Sequence, residues 1–184
     1  MEQTRKETIP TESLTDEAVV LSDMLDCRER RANLQRELLN TYCAPLISFC
    51  MNIPGPIKTN AAIRKVFDSG VTDILNALAS NHISVLYATQ IHEKTGDELL
   101  LVIESENVEN VKDLMTSIEE THPLGRLFDI DVLDATGTKL SRKIYRKCFL
   151  CGCQAQECAS SRKHSVSELQ AYIAKEINNY LSEK

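Results

Sequence analysis

Two aspartates, Asp129 and Asp131, are separated by a single residue in an apolar stretch of segment 122–132, after a proline, a glycine and an arginine. Successive side chains of a strand point to opposite faces, so both carboxylates would share one face while their apolar neighbours meet a core. Paired carboxylates repel each other unless a cation lies between them, and Mg²⁺ binds carboxylate oxygens together with substrate phosphates. The spacing therefore predicts a Mg²⁺ site suited to phosphoryl or nucleotidyl transfer. The same alternation predicts three core residues, Phe128, Ile130 and Val132.

The alternative for this pair is an ordinary solvated face of a half-exposed sheet. Asp134 belongs to another feature, because Asp134-Ala135-Thr136-Gly137 is typical of a turn in which the aspartate bonds its own backbone. Asp134 is therefore left out of the candidate site. The choice between a cation site and a solvated face depends on the residues that surround the pair.

A second cluster of candidate ligands lies near the C-terminus, where a Cys-x₂-Cys pair is followed by one more cysteine and a histidine. Its members are Cys148, Cys151, Cys158 and His164. This pattern predicts a closed, tetrahedral Cys₃His site that holds Zn²⁺ in a structural role. The alternative is that the cysteines are small apolar core residues. That alternative is the expectation for the remaining candidates of this kind, Cys27, Cys43 and Cys50.

Composition limits the class of protein. The chain has 184 residues, 42% hydrophobic and 26% charged, which is enough for one domain with a sizeable core. The N-terminus lacks the apolar region of a signal peptide, and prolines interrupt the longest uncharged stretch, so no membrane span is expected. Seven cysteines without an export signal indicate reduced thiols. The sequence therefore predicts a soluble, cytoplasmic protein.

Charge is distributed unevenly along the chain. The formal net charge is −6, yet seven basic residues and one acid, Glu157, lie between Lys139 and His164. A basic patch beside an acidic body favours a phosphate-rich ligand or an acidic partner protein. Nucleic acid is not expected as a partner, because only 5% of residues are aromatic and no stacking motif is present.

Periodicity predicts the order strand, helix, strand, strand, helix, strand between about residues 45 and 133, with a break or kink at Gly70 in the first helix. This order predicts an α+β fold of the ferredoxin-like βαββαβ type, with an antiparallel sheet and both helices on one face. A long amphipathic helix precedes it, and a Cys/His-rich segment plus a helix with a Ser165 capping box follow. The predicted organisation is a disordered tail at 1–14, an α+β domain with the candidate catalytic residues at 15–147, and the Cys/His-rich segment and C-terminal helix at 148–184.

The predicted topology also brings distant segments together, because its fourth strand lies antiparallel beside its first. Asn52 at the end of strand one, and the turn that contains Gly55 and Lys58, should therefore meet segment 122–129. A helix that begins near Asn60 offers unpaired N–H groups and a positive dipole end. Together with the charge of Lys58, this predicts an anion site, and the alternative for Lys58 is a solvated surface lysine.

Three segments carry a resemblance to a known family: NIPGPIK at 52–58, HPLGRLFDIDV at 122–132 and the cysteine and histidine run at 148–164. Over about residues 20–175 the chain resembles the citrate lyase holo-acyl-carrier-protein synthase family, also called apo-citrate lyase phosphoribosyl-dephospho-CoA transferases. The resemblance implies transfer of 2′-(5″-phosphoribosyl)-3′-dephospho-CoA from its triphosphate precursor to a serine of the citrate lyase acyl-carrier (gamma) subunit. Pyrophosphate would be released, as in a nucleotidyltransferase reaction.

The resemblance further implies roles for the candidate residues. Asp129 and Asp131 would hold one or two Mg²⁺ ions, and Arg126 would stabilise phosphate charge with its planar guanidinium. Lys58 and the helix start at Asn60 would receive the leaving pyrophosphate.

Two further roles concern the proton and the carrier. His122, with an unperturbed pKa of about 6.5, would accept the serine proton, although a histidine at a helix C-terminus can instead interact with the dipole. Basic residues would attract the carrier or the CoA phosphates, with Arg28, Arg31 and Arg142 as the main candidates. Two other functions remain open, a non-catalytic zinc-stabilised adaptor of citrate lyase assembly and a metal-dependent phosphodiesterase.

Overall fold

The computed structural model describes residues 17–183, and its elements follow the predicted order. The helices and strands are α1 Leu21–Tyr42, β1 Leu46–Met51, α2 Ala61–Ser80, β2 Ser84–Glu93, β3 Gly96–Glu104, α3 Val108–Thr121, β4 Phe128–Leu133, α4 Ala155–Ser160 and α5 Val166–Ser182. A 3₁₀ turn, Gly125–Leu127, leads into β4. The tail predicted at 1–14 lies outside the described residues.

The four strands form one antiparallel sheet in the order β2-β3-β1-β4. Cys50 of β1 pairs with Glu98 of β3 on one side and with Asp129 of β4 on the other. The backbone N–H of Asn52 extends the β1–β4 ladder by donating to the carbonyl oxygen of Leu127 at 2.7 Å. The end of β1 therefore meets the start of β4, as the sequence predicts.

Helices cover both faces of this sheet. The larger core lies between the sheet and α2, α3 and α5, and Ile173 and Ile177 of α5 belong to it. The predicted core residues Phe128, Ile130 and Val132 are fully buried there, so the alternation read from β4 is confirmed. A smaller core on the opposite face lies under α1 and contains Leu38, Leu39, Leu46, Leu100, Val102 and Leu133.

Gly70 does not break α2, which runs continuously from Ala61 to Ser80, so the predicted break is wrong. A Cβ atom at Gly70 would lie 2.7 Å from Cζ of Phe49 and 2.9 Å from Cζ of Phe128. These contacts are too short for a methyl group against packed rings. The glycine therefore allows α2 to approach the sheet closely. The packing gained in this way outweighs the low helix propensity of glycine.

The predictions for the isolated cysteines and for the Ser165 capping box can also be compared with the structure. Cys27 is buried as predicted, whereas Cys43 is exposed because it caps the C-terminus of α1 with a positive φ of 50°. The capping box predicted at Ser165 is present, since its hydroxyl accepts the N–H of Glu168 and the Glu168 carboxylate accepts the N–H of Ser165. Within residues 17–183, no helix is both long and apolar enough to cross a bilayer.

Candidate active site

An open cavity of about 200 Å³ lies where the end of β1, the turn after it, the start of β3 and α1 meet; we call it the first cavity. Five residues selected from the sequence line it: Arg28, Arg31, Asn52, Lys58 and Asp129. Three of them carry positive charge and one is a carboxylate, while the two other acids of the lining, Asp97 and Glu98, form ion pairs with Arg64 and Arg31. This combination suits a polyphosphate bound together with a metal ion, because charged donors form the strongest bonds to phosphate and carboxylates bind hard cations.

Glu98 organises the floor of the first cavity, and sequence reasoning did not select it. Its side chain is 3% exposed, and Oε1 accepts hydrogen bonds from Nη2 of Arg31 at 3.0 Å and from Sγ of Cys27 at 2.9 Å. Arg30 lies at 3.4 Å from the same oxygen, whereas Oε2 has no hydrogen-bond partner in the described part of the chain. The signal that could have identified Glu98 is its position in the strand register, because Glu98 and Asp129 both pair with Cys50.

Arg31 is held between two groups of this floor, since its other terminal nitrogen, Nη1, lies 3.6 Å from Sγ of Cys50. Burial opposes the charge of Arg31, but its contacts with Cys50 and Glu98 prevail and raise its pKa. Burial raises the pKa of Cys50 to about 12, so this thiol stays protonated at neutral pH. The cavity floor therefore presents a fixed guanidinium and no thiolate nucleophile at Cys50.

Lys58 points back towards the chain, with Nζ donating to the carbonyl oxygen of Ile53 at 2.7 Å. Burial and the nearby charge of Arg28 lower its pKa. The helix start behind it is already capped, because Oδ1 of Asn60 accepts the N–H groups of Ala62 and Ile63 at 3.1 and 2.9 Å. The positive charge at the first cavity therefore comes from side chains. The N–H groups predicted to form an anion site at the start of α2 are largely occupied by Asn60.

Gly55 turns the chain towards α5 and does not line the first cavity. Its φ of 87° lies in the region that favours glycine, and a Cβ atom there would come within 2.0 Å of the Gln170 side chain. The glycine thus lets the turn after β1 pack against α5.

Asp129 and Asp131 lie on the same face of β4, with side chains 42% and 26% exposed. Each forms its own ion pair: Asp129 with Arg146 at 3.2 Å and Asp131 with Lys139 at 2.6 Å. Asp129 alone of the two lines the first cavity. Lys139 is 60% exposed, so its pair with Asp131 is weak, whereas Arg146 is less exposed and also pairs with the buried carboxylate of Glu119.

His122 is not brought to the first cavity. Its side chain is 4% exposed, and Nε2 lies 3.2 Å from Oγ of Ser69 and 3.0 Å from the hydroxyl of Tyr180. Nδ1 accepts the N–H of Leu124 at 2.9 Å, and the residue caps the C-terminus of α3. The histidine therefore joins α3 to α2 and α5, which favours the helix-terminus interpretation over the role of proton acceptor.

The basic segment that begins at Lys139 is largely neutralised by acids of α3 and β4. Arg142 pairs with Glu119 and Glu120, and Lys143 pairs with Asp113 at 2.6 Å. Lys139 and Arg146 are engaged by the aspartate pair. The expected free basic patch is therefore absent over the paired part of this segment, and Arg142 lines neither cavity described here.

A second cavity, of about 210 Å³, lies beside the first, and Asn52 lines both. Arg126 borders it with its guanidinium carbon 5.5 Å from the ring centre of Phe149. Within residues 17–183 no carboxylate forms a salt bridge with Arg126. Burial and the charge of Arg146 lower its pKa, so this arginine favours an added anion.

Three members of the predicted cysteine and histidine cluster, Cys148, Cys158 and His164, line the second cavity. The candidate ligand atoms of Cys148, Cys151, Cys158 and His164 all lie within 4.8 Å of one another. Sγ of Cys151 and Sγ of Cys158 are 4.0 Å apart, close to the roughly 3.8 Å separation of two sulfurs on one tetrahedral zinc. The group could therefore hold a metal ion.

Two properties of the cluster agree with metal binding. A hydrogen bond with His164 lowers the pKa of Cys151 to about 6, whereas burial raises the pKa of Cys158 to about 12, so the first thiolate of the cluster forms at Cys151. Nε2 of His164 is buried without a hydrogen-bond partner among the described residues, and a bound cation would satisfy it.

Comparisons with known proteins identify the family of the chain. The family model for apo-citrate lyase phosphoribosyl-dephospho-CoA transferase matches residues 19–180. A probable apo-citrate lyase phosphoribosyl-dephospho-CoA transferase of Vibrio cholerae serotype O1 (strain M66-2) is 38% identical over 169 residues, covering 90% of this chain and 95% of the relative. One of the same description from Streptococcus pyogenes serotype M3 is 38% identical over 174 residues, covering 90% and 89%. The chain therefore belongs to the apo-citrate lyase phosphoribosyl-dephospho-CoA transferase family.

Proposed function

We propose that this protein transfers 2′-(5″-phosphoribosyl)-3′-dephospho-CoA from its triphosphate precursor to a serine of the citrate lyase acyl-carrier subunit, as a nucleotidyltransferase. Family membership supports this function. The observation that carries it is the convergence of Asp129 with Arg28, Arg31 and Lys58 on one open cavity. Such a cavity matches a triphosphate, which needs its negative charge neutralised while the phosphorus atom is attacked.

A ferredoxin-like fold is part of this proposal. The element order βαββαβ and the strand order β2-β3-β1-β4 support it. In this arrangement, β4 carries the aspartate pair on the face opposite α2 and α3. The sheet would thus act as a rigid base for the reacting groups.

In the proposed reaction, the serine Oγ of the carrier bonds to the α-phosphorus while the bond to the β-phosphate oxygen breaks. Pyrophosphate leaves, and the serine proton passes to a base or to water. Arg31, fixed by Glu98, neutralises charge on the phosphates from one side of the cavity. Arg28 and Lys58 lie on the same lining and receive the pyrophosphate as negative charge moves onto it.

Two metal sites belong to the proposal. Asp129 and Asp131 would hold Mg²⁺, because both are solvent-accessible carboxylates on one face; the ion would neutralise the phosphates and orient the leaving group. The Cys148, Cys151, Cys158 and His164 cluster would hold Zn²⁺ in a closed structural site.

The test of function is modification of the apo carrier in the presence of the triphosphate precursor and Mg²⁺, read by mass spectrometry and by pyrophosphate release. Asp129→Asn keeps the shape of the side chain but removes its charge, and it should reduce transfer by at least about a hundredfold. Asp113→Asn is the matched control, because Asp113 is also a half-exposed aspartate in an ion pair but lies on α3. Equal turnover by the two variants would remove Asp129 from the mechanism.

The same assay separates the other functions. Complex formation with the carrier but no covalent change would favour an adaptor. Hydrolysis of the precursor when no carrier is present would favour a phosphodiesterase.

A further inference from the structure

The second cavity has a composition that the chemistry of phosphate transfer does not explain. Its walls include the aromatic ring of Phe149 and the aliphatic side chains of Leu169 and Ile173. Its polar lining consists of Asn52, Arg126 and Arg146 together with residues of the cysteine and histidine cluster. A largely apolar cavity with a few polar groups is typical of sites for the organic part of a ligand.

Size restricts what this cavity can receive. Pockets that enclose a complete drug-sized ligand measure roughly 300–1,000 Å³, and this one measures about 210 Å³. It is therefore suited to one compact fragment of a larger molecule. A planar base stacks well on an aromatic ring and loses little conformational entropy on binding, in contrast to a flexible chain.

The position of the cavity links such a fragment to the first cavity. Asn52 lines both, so the two cavities adjoin at this residue. Arg126 and Arg146 lie at the apolar cavity, and Arg126 forms no salt bridge with the described residues. A phosphate or sugar-phosphate that follows the base would supply the missing anion.

We propose that the second cavity binds the adenine base of the nucleotide precursor, stacked against Phe149, while its triphosphate extends past Asn52 into the first cavity. This inference rests on the proposed function and names the substrate part that this region recognises. The metal cluster then has a second consequence, because Cys148, Cys158 and His164 form one wall of the base site. Metal binding would hold that wall in shape.

Filling the cavity tests the proposal. Ala155 and Ala159 of α4 line it, whereas Ala171 of α5 is exposed and outside it. Ala155→Leu and Ala159→Leu should each raise the KM for the precursor about tenfold or more while kcat stays within about threefold. Ala171→Leu makes the same chemical change on a helix surface and should leave both constants unchanged.

Direct binding identifies the occupant. Adenosine and pantetheine are titrated separately against the metal-loaded wild type and the three variants by calorimetry. Adenosine should bind to the wild type and to Ala171→Leu but at least about tenfold more weakly to the filled variants. Loss of pantetheine binding instead, or unchanged adenosine affinity in a filled variant that retains its metal, would overturn the assignment.

Two safeguards keep these outcomes separate. Thermal unfolding and metal content confirm that each variant is folded, and Ala159, at the exposed rim, supports the test if Ala155→Leu fails to fold. If the wild type binds adenosine in the second cavity but does not modify the carrier, the proposed function fails and the base site stands. If transfer occurs and the filled variants behave like the wild type, the base site fails and the function stands.

Discussion

Replacing Glu98 with glutamine keeps the shape of a buried side chain but removes the charge shared by Arg31 and Arg30. Glu98 is held at Oε1 by Arg31 at 3.0 Å, by Cys27 at 2.9 Å and by Arg30 at 3.4 Å. An amide in its place can still accept through its oxygen at the Oε1 position, and its NH₂ group takes the position of the unpartnered Oε2, but the negative charge that balances the two guanidinium groups is lost. The substitution therefore tests how far one buried carboxylate fixes the cation at the first cavity.

The expected loss of stability follows from these contacts. Removing one partner of a buried ion pair costs about 3–5 kcal/mol, and the amide oxygen keeps a hydrogen bond that contributes about 1 kcal/mol. Arg30 is 35% exposed and can be solvated by water, so losing its ion pair contributes little to the loss of stability. The free energy of unfolding should fall by about 2–4 kcal/mol, which lowers Tm by about 5–15 °C in a chain of this size.

Denaturant unfolding measures this change, and transfer kinetics measure its effect on the site. Because Arg31 is no longer held, the KM for the precursor should rise more than kcat falls. Glu104→Gln is the matched control, since Glu104 ends the same strand and is exposed; its unfolding free energy should stay within about 0.5 kcal/mol of the wild type. If Glu98→Gln were as stable as Glu104→Gln, the ionic account of the cavity floor would be refuted.

Two predictions address other parts of the molecule. Cys158→Ser should abolish zinc retention in protein purified without chelator and lower Tm, whereas Cys43→Ser, at an exposed cap, should keep the metal; full metal content in Cys158→Ser would contradict the ligand assignment. Gly70→Ala should lower the unfolding free energy by about 1–2 kcal/mol, because overpacking against Phe49 and Phe128 outweighs about 1 kcal/mol of helix propensity. An unfolding free energy equal to or above that of the wild type would show that α2 can move away from the sheet.

Helices and strands were predicted well where their signals depend on residues that are close together in the sequence. The apolar alternation in β4 and the Ser165 capping box depend on neighbours in sequence, and both are confirmed. Gly70 was misjudged because its effect arises from rings that lie far away in sequence. Helix propensity alone indicates that glycine weakens a helix at this position. In the structure, the glycine allows α2 to lie close to the sheet.

The candidate site was predictable in part for a similar reason. The topology brought Asn52 and Lys58 to Asp129, since strand order determines which chain ends meet. The neutralisation of Arg142 and the closure of the helix start by Asn60 depend on side-chain pairing, which spacing does not encode. Glu98 was missed because a single acid at the start of an apolar strand resembles a solvated strand end.

Helix α1 contributes both to the smaller core and to the first cavity. It covers the apolar face of the sheet through Leu38 and Leu39, and about two to three turns earlier it places Arg28 and Arg31 in the lining of the first cavity. Trimming the protein to the βαββαβ unit would remove Arg28 and Arg31 from the first cavity and leave Leu100 and Val102 facing water. A minimal version of this protein must therefore begin before α1.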